Sequence, residues 1–147
     1  MREILFRGKR VDNGEWVCSG NLIHFNEDDE YYIPVANSTC TCTHDESDNI
    51  IAWDETLFCK VAPETIGQYT GLTDKNGKKI FEDDIVKVTD DNGETNLCSC
   101  GIGYVCFYDG VWYICDEVND GLYDVTKIYY VEIIGNIHDN PEFLKGE

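Results

Sequence analysis

Short runs rich in β-branched and aromatic residues recur along this chain at residues 4–11, 15–25, 31–35, 79–88, 101–108, 111–116 and 127–137. Each run suits a strand of ordinary length better than a helix. Asn-Gly or Asp-Gly dipeptides stand among them, at Asn13-Gly14, Asn76-Gly77, Asn92-Gly93, Asp109-Gly110 and Asp120-Gly121. Such pairs tolerate the positive φ angles of tight hairpin turns, so they join antiparallel strands. The pattern predicts an all-β barrel or sandwich.

The clearest hairpin runs from residue 101 to residue 116 across Asp109-Gly110. On its first strand Ile102, Tyr104, Cys106 and Tyr108 share one face, and Val105 and Phe107 share the other. Both faces are apolar, which predicts cover on both sides. Residues 127–137 show the same property, with Ile128, Tyr130 and Ile134 opposite Tyr129, Val131 and Ile133. Helix signals are few. The best is Asn140-Pro141-Glu142, an N-cap residue followed by proline at the first helical position. Residues 26–56 are irregular, acidic and cysteine-bearing, and the strand pattern becomes denser after Ala62-Pro63. Two portions are expected: residues 1–62, an N-terminal β-hairpin and sheet portion, and residues 63–147, a β-barrel with a short C-terminal helical turn.

Composition supports packing. The 147 residues are 42% hydrophobic and 12% aromatic, and a domain of this size buries roughly 68–70% of its unfolded surface. The apolar run at the start ends after Ile4-Leu5-Phe6, short of a signal-peptide core. No stretch approaches the ~18 apolar residues of a membrane span. A cytoplasmic protein is therefore expected, and its 8 cysteines are expected as reduced thiols. The sequon Asn37-Ser38-Thr39 carries meaning only in a secreted protein.

Charge narrows the partners. The net charge is −18, with 5 basic against 12 acidic residues before position 63 and 6 against 17 from there on. Such a surface repels nucleic acid and anionic membrane, so neither is expected as a direct partner. Arg2, Arg7, Lys9 and Arg10 form one local basic group. The acidic clusters are Glu27-Asp28-Asp29-Glu30, Glu82-Asp83-Asp84, Asp90-Asp91, and Asp116-Glu117 with Asp120 and Asp124. Laid in rows on one face they could imitate duplex phosphates, and scattered they are a solvated surface.

Three segments together resemble the YopX-like family of phage and prophage proteins: FRGKRVDNGEWV at residues 6–17, TIGQYTGLTDKNGKKIFEDDIVKV at 65–88, and VEIIGNIHDNPEFL at 131–144. The resemblance implies a mainly β fold, with a C-terminal barrel of the SH3 type and an N-terminal β portion packed on it. It implies carriage by phages or mobile elements and supplies no biochemical role. This chain departs from the family pattern at Asp83, where glycine is usual. If that position needs positive φ, Asp bears it better than most residues. The cysteines are the second departure, since no cysteine framework belongs to the family.

Candidate chemistry is sparse. Cys40, Cys42 and His44 alternate along one extended segment, and Cys98 and Cys100 do so along another. Five N/S ligands could thus converge on a zinc ion, which takes four. Structural zinc sites usually space their cysteines two to four residues apart, and here one residue intervenes, so no metal is assigned. A cysteine nucleophile would need one of His24, His44 or His138 beside it and an electropositive setting, which the acidic surface opposes. The segment Gly71 to Lys79 imitates a phosphate loop without its spacing or its following helix, and a hairpin turn explains it better. At Asp90-Asp91-Asn92-Gly93 the glycine comes too early for a calcium loop. No catalytic residue and no cofactor are expected. Trp16, Trp53, Trp112, Tyr31-Tyr32 and Tyr129-Tyr130 are expected mostly in the core, with any left outside serving as interface anchors. The expectation is a non-enzymatic accessory protein that binds a protein partner or itself. A DNA-mimicking inhibitor is the first alternative, and a small metal- or cysteine-dependent enzyme is the second.

Overall fold

The computed structural model describes residues 3–34, 43–44, 46, 50–52, 58–90, 101–116 and 120–144. Among these the chain is mainly β with one α-helix, and it divides into two compact units, Glu3–Gln68 and Tyr69–Glu147. The division falls a few residues after the expected 62/63 boundary.

In the first unit, β1 (Phe6–Lys9) and β2 (Trp16–Ser19) pair antiparallel around the Asn13-Gly14 turn, where Gly14 takes φ +72°. β1 pairs on its other side with Gly67 and Gln68 at the start of β8 (Gly67–Thr73). A second sheet has the order β3 (Ile23–Phe25), β4 (Glu30–Pro34), β7 (Phe58–Val61). Two short strands, β5 (Thr43–His44) and β6 (Ile50–Ala52), pair apart from these. Ile33, Phe58, Cys59 and Val61 are buried. Gly8 lies so close to Val61 that a Cβ there would stand 3.0 Å from the valine Cβ.

In the second unit, β8 turns through Asn76-Gly77 into β9 (Lys79–Phe81). A five-stranded sheet follows, built from β10 (Asp84–Thr89), β11 (Ile102–Tyr108), β12 (Val111–Asp116), β13 (Asp120–Gly121) and β14 (Tyr130–Asn136). Its order is β13-β12-β11-β10-β14. These pairings leave β13 and β14 as edges, so the hydrogen-bonded strands form an open sheet. Its core is Ile80, Val86, Val88, Val105, Ile114, Leu122, Val125 and Val131. Ile85 and Val86 are neighbours on opposite faces of β10 yet both fully buried, so this strand is covered on both sides. The register against β14 shifts between them, with Ile134 as the extra residue on β14.

One local expectation fails for a physical reason. Asp120-Gly121 makes no hairpin turn: Gly121 has φ −61° and is the N-cap of α1 (Leu122–Ile128). That helix buries only Leu122 and Val125, at i and i+3 on a single face, and no side chain caps its start. A seven-residue helix with so little periodic signal hides inside a β-like sequence. Asn140-Pro141 does begin a helical turn, a 3-10 turn over Pro141–Leu144.

Candidate interaction surface on the second unit

The hairpin β11–β12 closes through Asp109 and Gly110, at φ +52° and +80°. Two consecutive positive φ values match a turn whose twist suits the flanking strands. The register places Phe107 opposite Trp112 and Tyr108 opposite Val111 at the tip. Deeper in the hairpin, Val105 and Ile114 face each other in the core and are fully buried. Towards the tip the strands outrun that core. Phe107 is 54% exposed, Tyr108 71% and Val111 44%.

Cover on both faces was the expectation here, and the structure corrects it for the tip. Phe107 and Trp112 hold each other instead, with ring centroids 4.8 Å apart and planes tilted by 57°. Beside them a groove of about 350 Å³ is lined by Thr70, Leu72, Val111, Trp112 and Tyr123, with Gly71 and Gly110 exposed along it. Tyr123 is itself 58% exposed and lies under the Lys127 ammonium, 4.1 Å from the ring centroid. Asp109 and Asp124 are exposed. The groove is an apolar floor in an acidic chain.

The acidic clusters do not all face solvent. Asp84 is buried and accepts a hydrogen bond from the Phe81 N–H. Asp83 reaches His138 Nε2 at 3.0 Å, with only 21% of its side chain exposed. Asp74 is buried and holds the β8–β9 turn, so this segment is a hairpin turn as expected. In the first unit Glu27, Asp28 and Asp29 are exposed, and Asp29 meets His24 at 2.9 Å. Glu30 is engaged: Lys60 first, then the Tyr32 hydroxyl, hydrogen-bond it and hold its carboxyl below the usual range. Arg10 likewise depresses Asp12 by a side-chain hydrogen bond, and its own pKa is raised by Asp12.

Of the local basic group, Arg7 and Lys9 lie against the Trp16 ring, at 4.8 and 5.8 Å from its centroid, and Arg10 holds Asp12. Arg2 lies outside the described residues. So do Cys40, Cys42, Cys98 and Cys100, together with Trp53, Asp91, the Asn37-Ser38-Thr39 sequon and the Asn92-Gly93 pair. His44 falls in β5. Among the described residues no three His, Cys, Asp or Glu side chains gather as a metal would require, and no helix is long and apolar enough to cross a membrane.

The described cysteines depart from the expected uniform state. Cys18 and Cys59 carry thiols, whereas Cys106 and Cys115 are joined as a disulfide between β11 and β12. The register accounts for it. Cys106 pairs with Tyr113 and Cys115 with Tyr104, so both cysteines project from one face as diagonal neighbours.

A family model described as YopX protein matches residues 5–145. The chain belongs to the YopX family. A relative, the SPbeta prophage-derived uncharacterized protein YopX of Bacillus subtilis (strain 168), is 37% identical over 76 residues. That match covers 48% of this chain and 53% of the relative, so the chain spans about half the relative's length. A similar solved structure is the crystal structure of protein EF1440 from Enterococcus faecalis, with a TM-score of 0.50 and 24% identity. It covers 99% of this chain and 100% of that one, a likeness of fold alone. Within the YopX match, Asp83, the position where the resemblance led us to expect glycine, has φ +71°. That is the conformation for which glycine is the default.

Proposed function

We propose that this YopX-family chain is a prophage-derived accessory protein of the bacterial cytoplasm that acts by binding another protein. The observation that carries this reading is the apolar tip of the β11–β12 hairpin beside its groove. Exposed Val111 and Tyr123 line that groove, exposed Phe107 packs on Trp112 beside it, and exposed Tyr108 pairs with Val111 across the strands. Neighbouring exposed apolar groups mark contact sites more often than scattered ones do. The partner's chemistry follows from charge. A second copy would bring another net charge of −18 to the contact, so the favoured occupant is a different protein. It would offer an apolar side chain for the groove, flanked by Lys or Arg near Asp109 and Asp124.

We further read the second unit as an SH3-type barrel. Two features support this. A short helix separates the last two strands of the sheet. The β8–β9 turn also bonds the outer edge of β14, through Lys75 N–H to the Val131 carbonyl and Ile133 N–H to the Asp74 carboxylate. SH3-type barrels often serve as interaction modules, which is analogy from fold. The DNA-mimic alternative requires rows of surface carboxylates, and the inward engagement of Asp83 and Asp84 weighs against residues 82–84 as such a row.

The test places a photo-crosslinking amino acid at Tyr108 and irradiates the chain in host lysate, with and without competing duplex DNA. A basic host protein captured at Tyr108, unaffected by DNA and lost in Val111→Asp, supports the reading. Capture that DNA abolishes favours mimicry. Crosslinking only to a second copy makes the tip a self-association surface, and no capture removes the tip from consideration.

A further inference from the structure

We propose that Cys106 and Cys115 are a reversible dithiol–disulfide site that reacts with a low-molecular-weight disulfide. The geometry admits the bond: the two Cα atoms are 6.3 Å apart, inside the span that disulfides bridge. Among the described residues, other contacts already fix the hairpin's shape. The hairpin register is held by six facing pairs from Gly103↔Asp116 to Tyr108↔Val111 and by the Asp109-Gly110 turn. The core pair Val105 and Ile114 packs on the opposite face of the same strands. The two cysteines are only nine positions apart, so closing their loop removes little freedom from the unfolded chain compared with a long-range bridge. Both are half-buried rather than enclosed, so a small reagent reaches them. A bond that the fold does not require, and that solvent can reach, is suited to chemistry more than to stapling.

The reaction balances with a symmetrical disulfide RSSR as oxidant. One cysteine thiolate attacks RSSR, forming a mixed disulfide and releasing RS⁻. The second thiolate attacks the protein sulfur of that mixed disulfide, forming Cys106–Cys115 and releasing the second RS⁻. The protein gives up two electrons, and the two cysteine protons end on the released thiolates as two RSH. Excess RSH drives the same steps backwards. The closed form ties β11 to β12 just below Phe107 and Trp112, so the hairpin amides exchange more slowly when the bond is present.

The test equilibrates the full, reduced chain in glutathione buffers of graded oxidation, quenches it in acid, alkylates it and maps the thiols by mass spectrometry. Chymotrypsin separates the two cysteines by cutting after Phe107, Tyr108 or Trp112. The expected product is two peptides joined through Cys106 and Cys115, formed while buried Cys59 remains a thiol and reopened by excess reduced glutathione. In Cys106→Ser the glutathione adduct on Cys115 should rise roughly tenfold or more, because no second sulfur resolves it. The double variant Cys106→Ser/Cys115→Ser should keep the wild-type circular dichroism and amide spectra. Failure to link at any ratio overturns the proposal. So does a native link that excess thiol cannot open, or a double variant that does not fold, since either would make the bond structural.

Discussion

The buried carboxylate of Asp74 accepts a hydrogen bond from the backbone N–H of Ile133, 3.1 Å away and 59 positions later in the chain. β14 is an edge strand, and an edge presents unpaired N–H and C=O groups. Here a side chain supplies the acceptor that a neighbouring strand would supply, and the adjacent Lys75 N–H supplies the donor, to Val131. The same carboxylate also accepts from the N–H groups of Asn76 and Lys78, so one residue shapes the β8–β9 turn and docks it on β14.

Asp74→Ala should therefore cost roughly 2–4 kcal/mol, because three backbone donors lose one shared anionic acceptor. Asp74→Asn keeps the shape but trades one acceptor oxygen for a donor, so it recovers only part of that loss. Urea denaturation measures both, and amide exchange at Ile133 should quicken first. A neutral Asp74→Ala would mean that this contact does not hold β14.

Much of this was legible in the sequence, though not this contact. The turns at Asn13-Gly14, Asn76-Gly77 and Asp109-Gly110 announce themselves, and Gly14, Gly77 and Gly110 do take positive φ. Alternation on the first strand put Cys106 and Val105 on opposite faces, whereas the pairing of Val105 with Ile114 and the shared face of Cys106 and Cys115 come from the register across the two-residue turn. Sequence could not say where the core ends, so Phe107 and Tyr108 read as covered. Burial depends on what packs above a strand, and strand periodicity carries no such information. The Asp74–Ile133 bond was hidden for a similar reason: it joins segments whose proximity exists only in the folded unit.

Asp83 permits a comparison of backbone and side-chain effects. Its φ of +71° favours glycine, while its carboxylate holds His138 and its N–H and carbonyl bond Val105 and Ile137. Asp83→Gly relieves the backbone and loses the His138 contact, so the net change should stay within about 1 kcal/mol. Asp83→Ala loses the contact and keeps the strain, and should be about 1 kcal/mol worse than Asp83→Gly. Thermal melts of the two variants decide the order. Equal stability would show that φ at this position costs nothing.

Gly103 is required by space. A Cβ there would lie 2.5 Å from the Cys115 carbonyl oxygen and 2.7 Å from Ile114 Cγ2. Neither the backbone nor a fully buried isoleucine gives way easily, so Gly103→Ala should cost roughly 1–3 kcal/mol. Its neighbouring test is Gly110→Ala, where nothing crowds the Cβ but φ is +80°, a cost of roughly 1–2 kcal/mol from conformation alone. The two should differ in kind. Gly103→Ala should shift the Val105 and Ile114 resonances in the core, while Gly110→Ala perturbs only the tip.

Glu30 gives the first unit a pH signature. Lys60 Nζ lies 2.7 Å from one carboxylate oxygen, and the Tyr32 hydroxyl 2.8 Å from the other. Both favour the charged form, so the folded pKa lies below the unfolded one. A depressed carboxyl contributes stability that is present above its unfolded pKa and lost as pH falls through the folded pKa. The effect belongs to the acid limb of the stability curve, and its size is limited by exposure of both partners. Lys60→Met removes the larger cause, so the Glu30 midpoint should rise towards the ordinary carboxyl value while Tyr32→Phe raises it less. Carboxyl-detected NMR titration reads this directly. A midpoint unmoved by Lys60→Met would show that the ammonium does not stay on Glu30 in solution, and the β4–β7 pairing would then stand on its backbone ladder and its buried side chains without that ion pair.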